Sequence, residues 1–279
     1  MCQNSVHFYK IQCATTSLNK RHHNRPAQKA RSAGLATLRF ARLCGERYTE
    51  RLDMKLTDIA STRESYFNDD WPPKEYFVHE SDLESEIVDG FRELVHSNSG
   101  EKAIDKFISE NPIILTSILD IKSTGHHAAW VVPKKNIRPH ISKDMPGLIP
   151  DFLVGGKNSY GITWYVVELK GAEHKLFSKI GGKLQLSGTA NKGLCQVLEY
   201  MSFCNKSQAF LRDTIKLKDF VSAEGFLFIG RESETEDARL RELKSGFNNI
   251  NSHLEIRSYD SILRCCDRIL GSNNRRVSV

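Results

Sequence analysis

Residues 150–170, PDFLVGGKNSYGITWYVVELK, constrain the fold more than any other stretch of the chain. Two short apolar runs, 151–154 and 163–169, flank a Gly/Asn/Ser segment of the kind that closes a β-hairpin. Alternation in the second run puts Trp164, Val166, Glu168 and Lys170 on one face, and Tyr165, Val167 and Leu169 on the other. One run opens on a carboxylate and the other closes on one, so antiparallel pairing brings Asp151 and Glu168 to the same end. Simple symmetric closure sets Asp151 opposite Tyr165. A shifted or bulged register is therefore expected, with Asp151 opposite Glu168. Two acids meeting at a sheet end repel unless a cation lies between them, and hard oxygen donors favour magnesium or manganese. Lys170 then stands beside the metal.

An Asp after Pro, a short spacer and then Glu-x-Lys is the metal-site signature of PD-(D/E)XK nucleases. The flanks extend the pattern. EKAIDKFISENPIIL precedes it; GAEHKLFSKIGGKLQLSGTANKGLCQVLEYMSF, a strand FLFIGR and HLEIRSYDSILRCCDRIL follow. In this order the chain closely resembles the nuclease domain of the Shedu family of prokaryotic anti-phage proteins, over about residues 98–271. The most specific parts are the PD…ELK pair, the Gln-x-x-x-Tyr helix and the strand followed by Ser-Tyr-Asp. The resemblance implies an α/β, restriction-endonuclease-like PD-(D/E)XK core, a central mixed sheet flanked by helices. It also implies Mg-dependent cutting or nicking of DNA in phage defence, and a homo-oligomer. Gln196 is carried over as a helix residue that helps place substrate.

The expected organisation is a basic leader at 1–53, an extension with one helix at 54–97, the nuclease domain at 98–272 and a tail at 273–279. The net charge of +6 is unevenly spread, because the first 53 residues hold ten bases against three acids and leave the remainder near neutral. A DNA-binding argument from the overall charge therefore fails. The leader reads as an organelle-type transit peptide, a phosphate-touching arm, or sequence upstream of a start at Met54; the last is favoured. Seven cysteines without Cys-x-x-Cys spacing or a secretory signal point to a reduced, cytoplasmic setting. No apolar run approaches the roughly 18 residues that span a bilayer, so no membrane role is expected.

Along the rest of the chain, WPPKEYF reads as an extended connector, and Ser81-x-x-Glu84 as a capping box for a helix with Leu83, Ile87, Phe91 and Leu94 inward. That helix either packs on the core or docks a partner. The helix from about Ser99 to Asn111 buries Ile104, Phe107 and Ile108, and Glu101 points toward the same side. An acid on the first helix of this superfamily often adds or orients a metal ligand, which makes Glu101 a candidate. A first-turn acid also suits the helix dipole without any chemistry. His126 and His127 read as surface or turn residues before a strand AAWVV, and Lys134, Lys135, Arg138 and Lys143 make the segment after it basic.

Residues 174–198 carry no acid but hold Lys175, Lys179, Lys183 and Lys192, with glycines loosening them. This basic, flexible strip is expected to hold DNA phosphates without reading sequence. In the helix from about Ala190 to Cys204, Leu194, Val197, Leu198 and Met201 are expected inward, with Gln196, Tyr200 and Phe203 on the opposite side. The resulting expectation is a metal-dependent endonuclease with catalytic Asp151, Glu168, Lys170, Gln196 and Glu101, of which Asp151, Glu168 and Glu101 are the metal ligands. The rivals are a catalytically idle DNA-binding or sensor module on the same fold, and an interaction protein whose 54–97 region recognises a phage component.

Overall fold

The computed structural model describes residues 71–277 except 124, 127 and 139–146. The leader, the Met54 start, His127 and Lys143 lie outside the described residues. The main sheet has six strands in the order β1-β2-β3-β4-β7-β8. These are β1 (Phe77–Val78), β2 (Ala128–Pro133), β3 (Phe152–Asn158), β4 (Gly161–Leu169), β7 (Ala223–Phe228) and β8 (Leu254–Arg257). The first four pair antiparallel, while β4, β7 and β8 run parallel. The sheet is thus mixed, and helices flank it, as expected.

One face of the sheet carries Val154, Tyr165, Val167, Phe226 and Phe228, which pack with α1 (Ser85–His96), α2 (Glu101–Glu110), α3 (Ser117–Ile121) and the C-terminal α7 (Tyr259–Val277). The other face carries Trp130, Leu153, Trp164 and Val166 under α4 (Gly188–Lys206) and α5 (Gln208–Asp213). Each large apolar side chain buried this way contributes about 1.5–3 kcal/mol. That supply offsets the charges the molecule keeps inside.

The hairpin differs from its reading in one respect. β3 continues through Gly155 and Gly156 to Asn158 instead of ending at Val154, since these glycines are close-approach positions and not a loop. A Cβ on Gly155 would lie 2.8 Å from the Trp164 ring, and one on Gly156 would lie 2.5 Å from Leu119. The strands pair without interruption from Phe152↔Val167 to Asn158↔Gly161, and only Ser159 and Tyr160 form the turn. Carried one residue further, this register sets Asp151 opposite Glu168. The shift comes from a later turn and needs no bulge.

The connector also belongs to the sheet. Phe77 and Val78 form the edge strand β1 on β2, and α1 packs against α7, so residues 71–97 are continuous with the core. Ser81 is not an N-cap: its hydroxyl bonds His79 and Asp82 in a 3-10 turn, and α1 starts at Ser85. The inward row is Val88, Phe91 and Val95, with Ile87 partly covered, so Leu94 falls outside it. α7 runs on through Val277, taking in much of the expected tail. The charged run before β8 becomes α6 (Ala238–Ile250), which has no buried residue.

The open edge of β8 is occupied by a side chain of α6. Asn248 donates through Nδ2 to the Ile256 carbonyl at 3.0 Å and accepts from the Ile256 N–H at 2.9 Å. Among the described residues, no helix is long and apolar enough to cross a membrane.

Candidate functional site

The site lies where β3 begins and β4 ends. Asp151 Oδ2 accepts a hydrogen bond from the Leu169 N–H at 2.7 Å, which ties the head of one strand to the tail of the other. Glu168 is 3 % exposed, and its Oε1 accepts from Lys170 Nζ at 2.7 Å. The same Nζ lies 3.4 Å from Glu101 Oε2 at the start of α2. Together these residues line a cleft of about 470 Å³ whose other wall is α4, with Thr189, Lys192, Gln196 and Tyr200.

Burial is the main reason both carboxyls hold their protons tightly. Asp151 is pushed up to about 6 against the pull of the Leu169 N–H and of Lys170. Glu168 reaches about 7, first through burial and then through the charge of Asp151. Burial opposes the charge on Lys170, but its bond to Glu168 and the surrounding acids outweigh it and raise its pKa. The Tyr200 hydroxyl is raised to about 12, by burial and then by Glu168. An acid pair that resists ionising until neutral pH is one that a cation would stabilise.

The donor set fits a hard divalent ion. Asp151 accepts a hydrogen bond on Oδ2 and Glu168 on Oε1, leaving Oδ1 and Oε2, and magnesium is commonly held by only one or two carboxylates plus water. Glu101, the third expected ligand, lines the same cleft with its Oε2 3.4 Å from Lys170 Nζ. Among the described residues, no three His, Cys, Asp or Glu side chains gather as a metal centre.

The four lysines of the basic strip do not converge. Its first half is a hairpin, β5 (Phe177–Ile180) and β6 (Lys183–Leu186), turned through Gly181 and Gly182 at φ 56° and 75°. Strand alternation puts Lys179 on the face of Phe177 and Lys183 on the opposite one. Only Lys192 lines the cleft; Lys175, Lys179 and Lys183 do not.

α4 bridges two apolar clusters, so more of it is buried than a single-stripe reading allows. Tyr200 is 6 % exposed and donates to the Ile149 carbonyl at 3.2 Å, whereas Leu198 is 53 % exposed. Gln196 faces the cleft as expected, and its Oε1 is buried with no hydrogen-bond partner among the described residues. His126 is not a surface residue either; its ring is 9 % exposed and sits 2.7 Å from Glu80.

Two further residues bear on the site. Asp105, one turn after Glu101 on the same face of α2, accepts from Lys134 Nζ at 2.6 Å and keeps a second, buried oxygen unpaired. The i, i+4 spacing to Glu101 was the signal for it. Tyr259 is fully buried and donates to the Lys170 carbonyl at 2.7 Å, fixing the backbone from which the lysine projects.

A central mixed sheet flanked by helices, with two acids and a lysine at one strand end, is compatible with a restriction-endonuclease-like core. The family described as Shedu protein SduA, C-terminal, matches residues 98–263, and the chain belongs to it. That membership associates the chain with anti-phage defence. The comparison with curated proteins gave no match.

Proposed function

We propose that this chain is a divalent-metal-dependent DNA endonuclease of an anti-phage defence system, working as a homo-oligomer. The observation that carries this reading is the pair of buried Glu168 and partly buried Asp151, both raised toward neutral pKa by burial, with Glu168 2.7 Å from Lys170. Asp151 and Glu168 would hold magnesium or manganese. Bound there, the ion supplies Lewis acidity toward a phosphate oxygen and toward water.

The chain's own groups do the rest. Lys170 is a fixed cation at the rim, oriented by Glu168 and Glu101, and it neutralises charge building on phosphorus. Gln196 offers its unpartnered Oε1 to a proton of the attacking water. Lys192 and Thr189, in the first turn and a half of α4, face the phosphate where the helix end favours an anion. In the reaction, water oxygen bonds to phosphorus, the bond from phosphorus to one sugar oxygen breaks, and that oxygen takes up a proton. The products are a phosphate monoester and a hydroxyl.

Supercoiled and linear DNA incubated with wild type and Glu168→Ala, in magnesium and in EDTA, tests the reading. Nicking or cutting by wild type in magnesium alone is the expected result. Binding without turnover in every lane would instead favour an idle DNA-binding module.

A further inference from the structure

A second cleft, of about 590 Å³, opens beyond β8 between α6 and the segment that follows β7, and it shares no lining residue with the first. Arg241 and Lys244, three apart on α6, line it together with Arg257 at the end of β8. Among the described residues, Arg241 and Lys244 have no acid partner within ion-pair distance. Arg257 uses Nε and Nη2 on Glu255, at 2.8 and 2.6 Å, and keeps its other terminal nitrogen.

The acids do not balance these cations. Glu232 is committed to both terminal nitrogens of Arg264, at 2.5 and 2.6 Å, which leaves Glu236. Burial lowers the pKa of Lys244, and the charges of Arg257 and Arg264 add to that lowering against Glu232 and Asp260. A half-buried ammonium without a direct ion-pair partner is costly, and a bound anion would offset that cost. Ser233 and Ser245 add hydroxyls to the same walls.

We propose that the cleft between α6 and β8 binds the phosphate group of a phosphorylated ligand, with Lys244 as its central cation and Arg241 and Arg257 around it. Lysine and arginine in one concave site are a phosphate-binding combination. The volume falls in the range that accepts a nucleotide-sized ligand. The cleft also lies at the C-terminal ends of the parallel strands β7 and β8, where open α/β sheets gather ligands. The phosphate comes from either of two sources, a free phosphate or the backbone of DNA.

Acylation of lysines on the full chain in EDTA, read by peptide mass analysis, tests this whether or not the acid pair hydrolyses anything. Lys244 should label readily and be protected at least fivefold by inorganic phosphate, by a short duplex, or by both. Lys106, 77 % exposed on α2, should label equally in every arm. Protection by phosphate assigns a free-phosphate site, and protection by duplex alone assigns the backbone. In the second case Lys244→Met must also reduce the slope of log affinity against log salt by about 0.9. Lys244 labelling unchanged by either probe overturns the proposal, as does duplex protection with an unchanged salt slope in Lys244→Met.

Discussion

Lys122 and Lys170 are each gripped by acids, on opposite faces of one sheet. Lys122 lies 2.6 Å from Glu224 and 2.7 Å from Glu255, beneath the face that α7 covers. Arg257 also bonds Glu255, so two acids meet two bases. Around Lys170 stand Glu168, Asp151 and Glu101, with Asp105 near Asp151, and among the described residues Lys134 is the only other base bonded to these acids. The balanced cluster holds strands together. The other carries surplus negative charge at a cleft, and that surplus is what invites a cation. Charge imbalance, not the presence of buried charges, distinguishes the candidate site from the structural cluster.

Activity should split the two lysines most sharply. Lys170→Ala is expected to lower the DNA-nicking rate about 10² to 10³-fold, the usual loss of one preorganised charge, while Lys122→Ala leaves the rate per folded molecule near wild type. Equal losses in a nicking assay would erase the distinction. Stability should divide them the other way. Lys122→Ala strands two partly buried carboxylates and should cost about 2 kcal/mol in urea unfolding, whereas Lys170→Ala is partly relieved because Glu168 and Asp151 can take up protons.

Tyr259→Phe leaves the Lys170 carbonyl without its buried donor. It should cost about 1–2 kcal/mol and slow nicking severalfold, and an unchanged rate would deny it a positioning role.

The clusters should also answer pH with opposite slopes. Asp151 and Glu168 are raised from 3.8 and 4.5 to about 6 and about 7 in the folded chain. Their contribution is complete below about pH 4 and is lost as pH rises through 6 and 7. Glu255 is lowered: burial would raise it, but the bonds from Lys122 and Arg257 outweigh that, so its contribution is present above 4.5 and lost in acid. In EDTA, thermal unfolding should find Asp151→Asn gaining on wild type between pH 5 and pH 8, and magnesium should narrow that gap at pH 8. Glu255→Gln should fall furthest behind above pH 5. A gap independent of pH in either variant would reject its half of the contrast.

Much of this was legible beforehand. Alternation in residues 163–169 assigned both faces of β4. What stayed hidden depended on neighbours distant in the chain. Gly155 and Gly156 look like a loop until Trp164 and Leu119 are seen to need the space. Tyr200 looks outward until a second cluster is found on its side of α4. Within the site, pairing and strand alternation brought Asp151, Glu168 and Lys170 to one sheet end and helix periodicity put Gln196 off the core side of α4, while their roles came from the family resemblance. Whether Lys179 and Lys183 share a face could be known only once their segment proved to be a hairpin.

The small amide bridge from α6 to Ile256 reaches beyond local order. A sheet grows by recruiting a free margin, and here one margin is a strand two residues long while the other has its central backbone donor and acceptor already satisfied. Neither margin of the six-stranded sheet therefore offers a second copy of the chain a ready template for strand pairing.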